Sequence, residues 1–309
     1  MFSFLLIILC IFILLFLVAF FGSNLYLKPK RITREDSFPQ ENIDNFFRGF
    51  IDSIEKEPFS IINTDGNEIH GEWLFPKSKK LEDLSKVLIC CHGFSWNLTG
   101  GYKYSHFFLE QGWAVLLYDH QRAGKSQGKH TTMGFLESRD LGQIVSYVLD
   151  KKGPKTIIGT HGESMGAATV LEHMTKDSRI SFAIADCGYA DLSDIIFYQM
   201  KSVLHFKSRF ILLLLSLVTK MKAGFFLSDV NPAKHIAEAG GVPYTPLMVI
   251  HGLSDSYIPS TSAYKIFKEK KGVKHLYLCP EAHHAKSVYT NPENYEKQLK
   301  EFLKKINLE

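Results

Sequence analysis

A serine in the middle of the chain lies between a β-branched run and a helix-forming stretch. It is Ser164 of the segment Gly162-Glu163-Ser164-Met165-Gly166, which follows Thr156-Ile157-Ile158. A strand that turns sharply into a helix forces its apex residue into a strained backbone conformation, and glycines two residues to either side avoid Cβ clashes. The helix that follows directs unpaired N–H groups at the point where a tetrahedral intermediate would carry its negative charge. The segment therefore predicts a nucleophilic serine and a serine hydrolase, with an ordinary glycine-rich turn as the alternative.

Strand and helix patterns alternate over most of the chain. A hairpin over 60–75 is followed by an unbroken apolar run at 87–91, which is typical of a strand covered on both faces. Further strands are predicted at 114–118, 156–160, 182–186, 247–251 and 275–278, and helices at 102–110, 134–149, 164–174, 260–270 and 292–305. This order predicts an α/β fold with a mostly parallel sheet flanked by helices on both sides.

One long segment interrupts this alternation between the strands at 182–186 and 247–251. It contains the apolar run 210–218, which has Lys207 and Arg209 on one side and Lys220 and Lys222 on the other. A run of nine residues is too short to cross a bilayer as a helix. We predict a helical cap inserted at about 191–240, which packs over the sheet, lines an entrance for apolar substrate, or rests its basic flanks on a membrane.

The amino terminus differs in composition from the rest of the chain. Residues 4–21 carry no charge, and as a helix these 18 residues would extend roughly 27 Å, close to the ~30 Å thickness of the hydrocarbon layer. A cleaved signal peptide is the alternative, but no basic residue precedes the run and no Ala-x-Ala site follows it. We predict a transmembrane anchor at 1–27, a linker with a short amphipathic helix at 28–58, and a catalytic domain at 59–309.

Charge and cysteine content narrow the choice of partners. The net charge is +4, from 36 basic and 32 acidic side chains that are scattered along the chain, so we expect no nucleic-acid partner. Lys28, Lys30, Arg31 and Arg34 follow the apolar run and favour a cytoplasmic catalytic part. The five cysteines, Cys10, Cys90, Cys91, Cys187 and Cys279, form no disulfide or zinc pattern, and we expect no metal or other cofactor.

A nucleophilic serine needs a base within hydrogen-bond reach and an acid that orients the base. Asp255 follows the strand at 247–251, and His283 and His284 follow the last strand, which completes the order Ser, Asp, His. Spacing gives no preference between the adjacent histidines. Asp186, at a strand end, and Asp194 are alternative acids, but we favour Asp255 because its strand directly precedes that of the histidines.

An oxyanion hole requires two backbone N–H donors. One belongs to the residue after the nucleophile, Met165, and the second should come from the loop after the strand at 87–91. That loop, His92-Gly93-Phe94-Ser95, makes Phe94 the candidate donor. The glycine-rich segment 122–128 lacks the spacing of a phosphate cradle and is interpreted as a structural loop.

From about residue 59 to residue 303 the chain resembles the α/β-hydrolase superfamily, and within it the membrane-anchored bacterial hydrolases of the cell-surface type, related to the serine aminopeptidase-like group. Besides the Ser164 segment, the resemblance rests on Cys91-His92-Gly93-Phe94, Tyr118-Asp119-His120-Gln121-Arg122-Ala123-Gly124-Lys125-Ser126, Gly134-Phe135-Leu136-Glu137 with Asp140, His251-Gly252 with Asp255 and Pro259, and His284-Ala285-Lys286-Ser287.

The resemblance adds expectations about the catalytic histidine, the location and the range of substrates. In such proteins Ala-x-Ser follows the catalytic histidine, which implies His284, and the family implies a location at the cell surface. Gln121 departs from the usual Asp-His-Arg-x-x-Gly pattern and leaves the detail of that loop open. Relatives cleave esters, peptides and thioesters, so the fold alone does not select the substrate.

Together these features predict a serine esterase that acts on a small acyl substrate. The cap is rich in Phe, Leu and Ile, which favours a carboxylic ester with an apolar acyl or aryl part. The alternatives are an aminopeptidase-like peptidase, an acyltransferase, and a non-catalytic binding protein tethered to the membrane.

Overall fold

A computed structural model describes residues 2–40, 49–50, 53–204 and 207–309 of the chain. Most of the amphipathic helix that the sequence predicts around 43–54 lies outside these described residues. The described part contains a single eight-stranded sheet with helices on both of its faces. This confirms the predicted α/β architecture.

The sheet has the strand order β1-β2-β4-β3-β5-β6-β7-β8. Strand β2 is antiparallel to both of its neighbours, and all pairs from β4 to β8 are parallel. Parallel neighbours end at the same edge, so the loops after β3, β5, β6, β7 and β8 gather at one edge of the sheet. The strands are β1 Ile54–Ile62, β2 Glu68–Pro76, β3 Lys86–Cys91, β4 Ala114–Tyr118, β5 Ile157–Glu163, β6 Phe182–Asp186, β7 Leu247–Gly252 and β8 Lys274–Cys279.

The helices lie on the two faces of the sheet, in a segment between β6 and β7, and at the amino terminus. They are α1 Phe2–Gly22, α2 Asn24–Leu27, α3 Arg34–Gln40, α4 Tyr102–Glu110, α5 Phe135–Lys152, α6 Met165–Met174, α7 Leu192–Leu204, α8 Arg209–Ala223, α9 Pro232–Glu238, α10 Thr261–Glu269, α11 Ser287–Thr290 and α12 Pro292–Lys305.

Each face of the sheet has its own apolar core. On one face, strand residues such as Ile89 and Leu116 pack with Ile144 of α5 and Val170 of α6. On the other face, α4 and α12 supply large aromatic side chains, including the fully buried Phe108 and Phe302. Strand β4 is buried along its whole length, as expected for a central strand covered on both sides. The two cores hold the sheet rigid beneath the loops at its carboxyl edge.

Strand β1 begins at Ile54, earlier than the predicted start at Ser60 and within the range assigned to the linker. It pairs with β2 over nine residues, from Ile54 opposite Pro76 to Ile62 opposite Glu68. The strand contains Pro58, a residue that usually argues against a strand. Because β1 is an edge strand, the missing N–H group of a proline is tolerated there.

The amino-terminal helix packs against the segment between β6 and β7, which consists of α7, α8 and α9. We call this segment the cap. Ala19 of α1 is buried together with Leu214 and Val218 of α8. Most of the remaining surface of α1 is exposed, and by length and composition the helix could cross a membrane. The predicted apolar amino-terminal helix and helical insertion are therefore both present.

Candidate active site

Ser164 occupies the sharp turn between β5 and α6. Its backbone angles, φ 56° and ψ −112°, are unusual for a residue with a side chain. A Cβ atom at Gly162 would lie 2.0 Å from the carbonyl oxygen of Gly166, and one at Gly166 would lie 2.0 Å from the carbonyl oxygen of Cys91. Both positions therefore require glycine, as the sequence motif indicates.

The loops after β7 and β8 bring an acid and a base to this serine. His284 Nε2 lies 3.0 Å from Ser164 Oγ, and His284 Nδ1 lies 2.7 Å from Asp255 Oδ2. The other carboxylate oxygen, Asp255 Oδ1, accepts hydrogen bonds from the backbone N–H groups of Tyr257 and Ile258, at 2.9 and 2.8 Å. The acid is thus fixed by its own turn, and the imidazole is held between acid and hydroxyl.

The environment of Asp255 keeps its carboxylate ionised. Burial alone would raise the pKa of this group, but hydrogen bonds with His251 and His284 outweigh burial and hold the pKa well below its ordinary value. His251 Nε2 lies 3.4 Å from Asp255 Oδ2 and 2.8 Å from the carbonyl oxygen of Ile258. The sequence interpretation gave His251 no role beyond ending a buried strand, and its contact with the acid depends on how the following turn folds back.

The alternative candidates lie elsewhere. His283 is exposed, and its Nδ1 contacts the carbonyl oxygen of Ser254 at 3.1 Å. Asp194 is exposed on α7 and pairs with Lys265 at 2.9 Å. Asp186 is buried and accepts a hydrogen bond from Tyr295 Oη at 3.1 Å. Burial, reinforced by the charge of Glu163, raises its pKa to about 7. None of the three takes the place of His284 or Asp255.

The two predicted oxyanion donors belong to segments that adjoin Ser164. Met165 is the first residue of α6, directly after Ser164. The loop after β3 passes beside the serine, since a Cβ atom at Gly93 would lie 3.6 Å from Ser164 Cβ. Phe94 of this loop lines the same cavity as Ser164. In the part of the chain that the structure describes, neither Phe94 nor Met165 donates its backbone N–H group to a protein acceptor.

Ser164 and His284 open onto a cavity of about 420 Å³. Its wall includes side chains that the sequence interpretation did not assign to the site, namely Trp96, Lys103, Glu163, Tyr257 and Lys286. Glu163 could have been inferred, because it directly precedes Ser164 within the motif. Lys103 could not, because it lies on a distant helix whose packing the sequence pattern does not fix.

A buried ion pair forms one side of this cavity. Lys103 Nζ lies 2.6 Å from Glu163 Oε2, and the Tyr104 hydroxyl donates a hydrogen bond to the same carboxylate. Burial would raise the pKa of Glu163, but the charge of Lys103 and the hydrogen bonds from Lys103 and Tyr104 outweigh it, so the pKa is lowered. Glu163 is therefore a carboxylate whose charge is already neutralised by a neighbouring ammonium.

The glycine-rich segment 122–128 is organised around an internal carboxylate. Asp119 accepts hydrogen bonds from the backbone N–H groups of Leu98 and Lys125, at 2.8 and 2.9 Å. A Cβ atom at Gly124 would collide with this carboxylate. The loop thus directs its backbone towards the protein's own carboxylate, which supports its interpretation as a structural loop. Among the described residues, no three His, Cys, Asp or Glu side chains are grouped so that they could hold a metal.

Comparison with known proteins places this architecture among α/β hydrolases. The family described as Serine aminopeptidase, S33 matches residues 82–208. The uncharacterized protein YqkD of Bacillus subtilis is 34% identical over 289 residues, which cover 92% of this chain and 92% of that protein. The uncharacterized protein YfhR of Escherichia coli is 23% identical over 276 residues, covering 88% and 85% of the two chains.

Two solved structures share the fold. The Pyrococcus furiosus esterase Pf2001 is 22% identical, with a TM-score of 0.67 over 90% of this chain and 99% of that one. Est1E from Butyrivibrio proteoclasticus, solved with ferulic acid bound, is 19% identical, with a TM-score of 0.64 over 81% of this chain and 100% of that one. At these identities the likeness concerns the fold.

Proposed function

Because the chain belongs to the serine aminopeptidase S33 family of α/β hydrolases, we propose that it is a serine hydrolase that cleaves carboxylic esters through an acyl-enzyme formed on Ser164. The observation that carries this proposal is the hydrogen-bonded series from Asp255 through His284 to Ser164, with contacts of 2.7 and 3.0 Å. A base within hydrogen-bond reach of a hydroxyl, itself oriented by a carboxylate, is the arrangement that activates a serine.

In the proposed mechanism, Ser164 Oγ attacks the ester carbonyl carbon while His284 Nε2 takes the hydroxyl proton. The ionised Asp255 stabilises the imidazolium through Nδ1. The N–H groups of Phe94 and Met165 donate to the oxyanion of the tetrahedral intermediate. When that intermediate collapses, the C–O bond to the leaving alkoxide breaks and His284 returns the proton to it. A water molecule then attacks the acyl-enzyme by the same steps and releases the carboxylic acid.

The ion pair beside the nucleophile favours an ester over an aminoacyl substrate. An aminopeptidase needs an anionic group that binds the free amino terminus of its substrate. Glu163 is the carboxylate next to Ser164, and it is already bound by Lys103 and Tyr104. A second ammonium would have to displace Lys103, whose side chain is only 6% exposed, and this would leave a buried charge uncompensated.

The proposal is tested with p-nitrophenyl butyrate and a fluorophosphonate probe on the full chain. We expect Ser164→Ala to lower turnover about 10⁶-fold and to abolish labelling, since only an activated serine reacts with the probe. His284→Ala should abolish most activity, whereas His283→Ala should leave it unchanged. Wild-type protein that is neither labelled nor active would favour the non-catalytic binding protein, and faster cleavage of aminoacyl p-nitroanilides than of esters would favour the peptidase.

We further propose that α1 is an uncleaved single-pass membrane anchor and that the catalytic part lies on the cytoplasmic side. The exposed apolar surface of α1 and the cluster Lys28, Lys30, Arg31 and Arg34 just after α2 support this proposal. Alkaline extraction of membranes should leave the protein in the pellet. Protease added to intact cells should leave the catalytic part uncut, and digestion from outside would place it at the cell surface instead.

A further inference from the structure

A second cavity, separate from the catalytic one, lies between the amino-terminal helices and the cap. Its volume is about 70 Å³. Among the residues that the structure describes, no charged side chain lines it, and its walls come from α1, α2, α7 and α8. The lining side chains include Ala19, Leu25, Ile196, Met200, Ile211 and Leu215. We call it the anchor cavity.

Tyr26 of α2 separates the anchor cavity from the catalytic cavity. Its side chain lines the anchor cavity, and its ring lies 6.4 Å from the ring of Phe94. Burial, and secondarily the proximity of Tyr257, raises the pKa of Tyr26. Phe94 and Tyr257 both line the catalytic cavity, and the Tyr257 ring lies 4.9 Å from that of His284. The aromatic side chains of Tyr26, Phe94 and Tyr257 therefore form a layer between the cavity at Ser164 and the anchor cavity.

We propose that the anchor cavity binds the far end of the acyl chain of the substrate, which passes the Tyr26 side chain while the ester carbonyl lies at Ser164. This inference rests on the proposed function and names its substrate class as esters of medium-length or longer linear fatty acids. Apart from Tyr26, the lining side chains named above are apolar and suit a hydrocarbon chain, which would enter from the side of Phe94, next to Tyr26. The amino-terminal helices are thus part of the substrate site.

Burial of each further methylene of an acyl chain should raise kcat/KM about fourfold once the chain is long enough to pass Tyr26, because an apolar group is transferred from water. An acetate ester is too short to reach the anchor cavity. The ratio of octanoate to acetate hydrolysis therefore measures occupancy of this cavity, and acetate hydrolysis serves as an internal reference for the chemistry at Ser164.

The test uses the full chain in lipid nanodiscs with p-nitrophenyl acetate, butyrate, octanoate and dodecanoate. Ile196→Trp should fill the anchor cavity and lower the octanoate-to-acetate ratio at least tenfold. Leu213→Trp is the matched control, because this side chain on α8 is 56% exposed and is not in the cavity wall. Thermal unfolding of each variant shows whether it is folded.

A second variant acts in the opposite direction. Tyr26→Ala opens the partition and should raise the octanoate-to-acetate ratio several-fold, so a failure of Ile196→Trp to fold would still leave the inference testable. Equal effects of either variant on acetate and octanoate would overturn the acyl-chain assignment. A parallel series of butyrate esters with alcohols of increasing length should show no such dependence, and a dependence on alcohol length would assign the cavity to the leaving group instead.

The two proposals fail in different ways. If the chain hydrolyses no ester in a manner that depends on Ser164, the proposed function is wrong. If Ser164-dependent acetate hydrolysis is present but Ile196→Trp leaves the chain-length profile unchanged, only the inference about the anchor cavity is wrong.

Discussion

The carboxyl edge of the sheet and the face shared by α1 and α8 are built on opposite principles. At the sheet edge, Ser164, Asp255 and His284 each lie in a turn or loop that follows a strand, and the close approaches at Gly162 and Gly166 leave no freedom for the backbone. Along α1 and α8, apolar side chains occupy both buried and exposed positions. Leu214 is buried, while Leu213 and Leu217 are 56% and 42% exposed. The sheet edge tolerates one geometry, whereas the contact between α1 and α8 depends mainly on the apolar composition of the two helices.

This difference predicts that the two regions respond unequally to substitution. Chemistry at the sheet edge depends on contacts of about 3 Å between particular atoms, so a change of a single group removes an interaction that nothing else replaces. Packing between α1 and the cap is distributed over many side chains, and each contributes a small part.

Asp255→Asn should lower kcat/KM for p-nitrophenyl butyrate about 10⁴-fold, because an amide cannot stabilise the imidazolium and favours the wrong tautomer of His284. The matched control is Asp194→Asn, since Asp194 is an exposed partner of Lys265 and an acid that the sequence left open. The control should retain wild-type activity. Comparable losses of kcat/KM in the two variants would contradict the assignment of Asp255 as the acid that orients His284.

Gly166→Ala should destabilise the protein by about 3 kcal/mol or more, because the added methyl group would lie 2.0 Å from a backbone carbonyl oxygen that cannot move away. The same substitution at Gly22, at the end of α1, meets no atom within 4 Å and should leave the stability unchanged. Urea denaturation of both variants measures the difference. A stable Gly166→Ala protein with normal activity would contradict the strict requirement for glycine.

Asp186→Asn should change how stability depends on pH. Burial and the charge of Glu163 raise the pKa of Asp186 to about 7, so the folded state favours the protonated acid. Its contribution to the free energy of unfolding is therefore fully present at low pH and is lost as the pH rises from about 4 towards 7. The loss is ~1.4 kcal/mol for each unit by which the folded pKa exceeds the unfolded pKa. The asparagine variant should lose less stability over this range.

Thermal unfolding between pH 4 and pH 8 measures that effect. Asp140, whose pKa is also raised to about 7 by burial, should maintain part of the slope in the Asp186→Asn protein. Asp194→Asn is again the control and should keep the wild-type slope. An Asp186→Asn protein with the wild-type slope would mean that Asp186 is ionised in the folded state.

Lys222→Ala should have the smallest effect, about 1 kcal/mol of stability with no change in kcat on the acetate ester. The Lys222 ammonium donates hydrogen bonds to the carbonyl oxygen of Phe20, to Ser23 Oγ at 2.9 Å and to Asn24 Oδ1 at 3.1 Å. In the variant, water at the surface can donate hydrogen bonds to these three oxygen atoms in place of the ammonium. Lys220→Ala is the control, because the Lys220 ammonium donates a hydrogen bond to the carbonyl oxygen of Gly224 at the end of its own helix. A larger loss of stability in this control than in Lys222→Ala would argue against a specific link between α8 and α1.

The sequence predicted most of the sheet and the positions of Ser164, Asp255 and His284, because these features depend on local patterns. A buried strand ends, a turn follows, and parallel neighbours bring such turns to one edge. Spacing left His283 and His284 equivalent, and the family resemblance supplied the preference for His284. The catalytic role of these residues and the boundaries of the anchor and linker remain predictions.

Other features could not be predicted, because they depend on contacts between segments far apart in the chain. The pair Lys103–Glu163 joins a helix to a strand end, and the layer formed by Tyr26, Phe94 and Tyr257 joins three separate segments. The start of β1 at Ile54 was missed because Pro58 is acceptable only in an edge strand, and a sequence does not state which strand lies at the edge.

The amino-terminal segment is tied into the body of the enzyme after α1 has ended. Leu27 is fully buried in the same cluster as Met165 and Ile258, its carbonyl oxygen accepts a hydrogen bond from Thr131, and Arg34 pairs with Glu72 at 2.9 Å. A protease that cut after residue 27 would therefore not release an intact soluble enzyme. If α1 is the membrane anchor proposed above, the same cut would remove one wall of the anchor cavity and uncover apolar side chains beside α6, so release from the membrane would inactivate the protein.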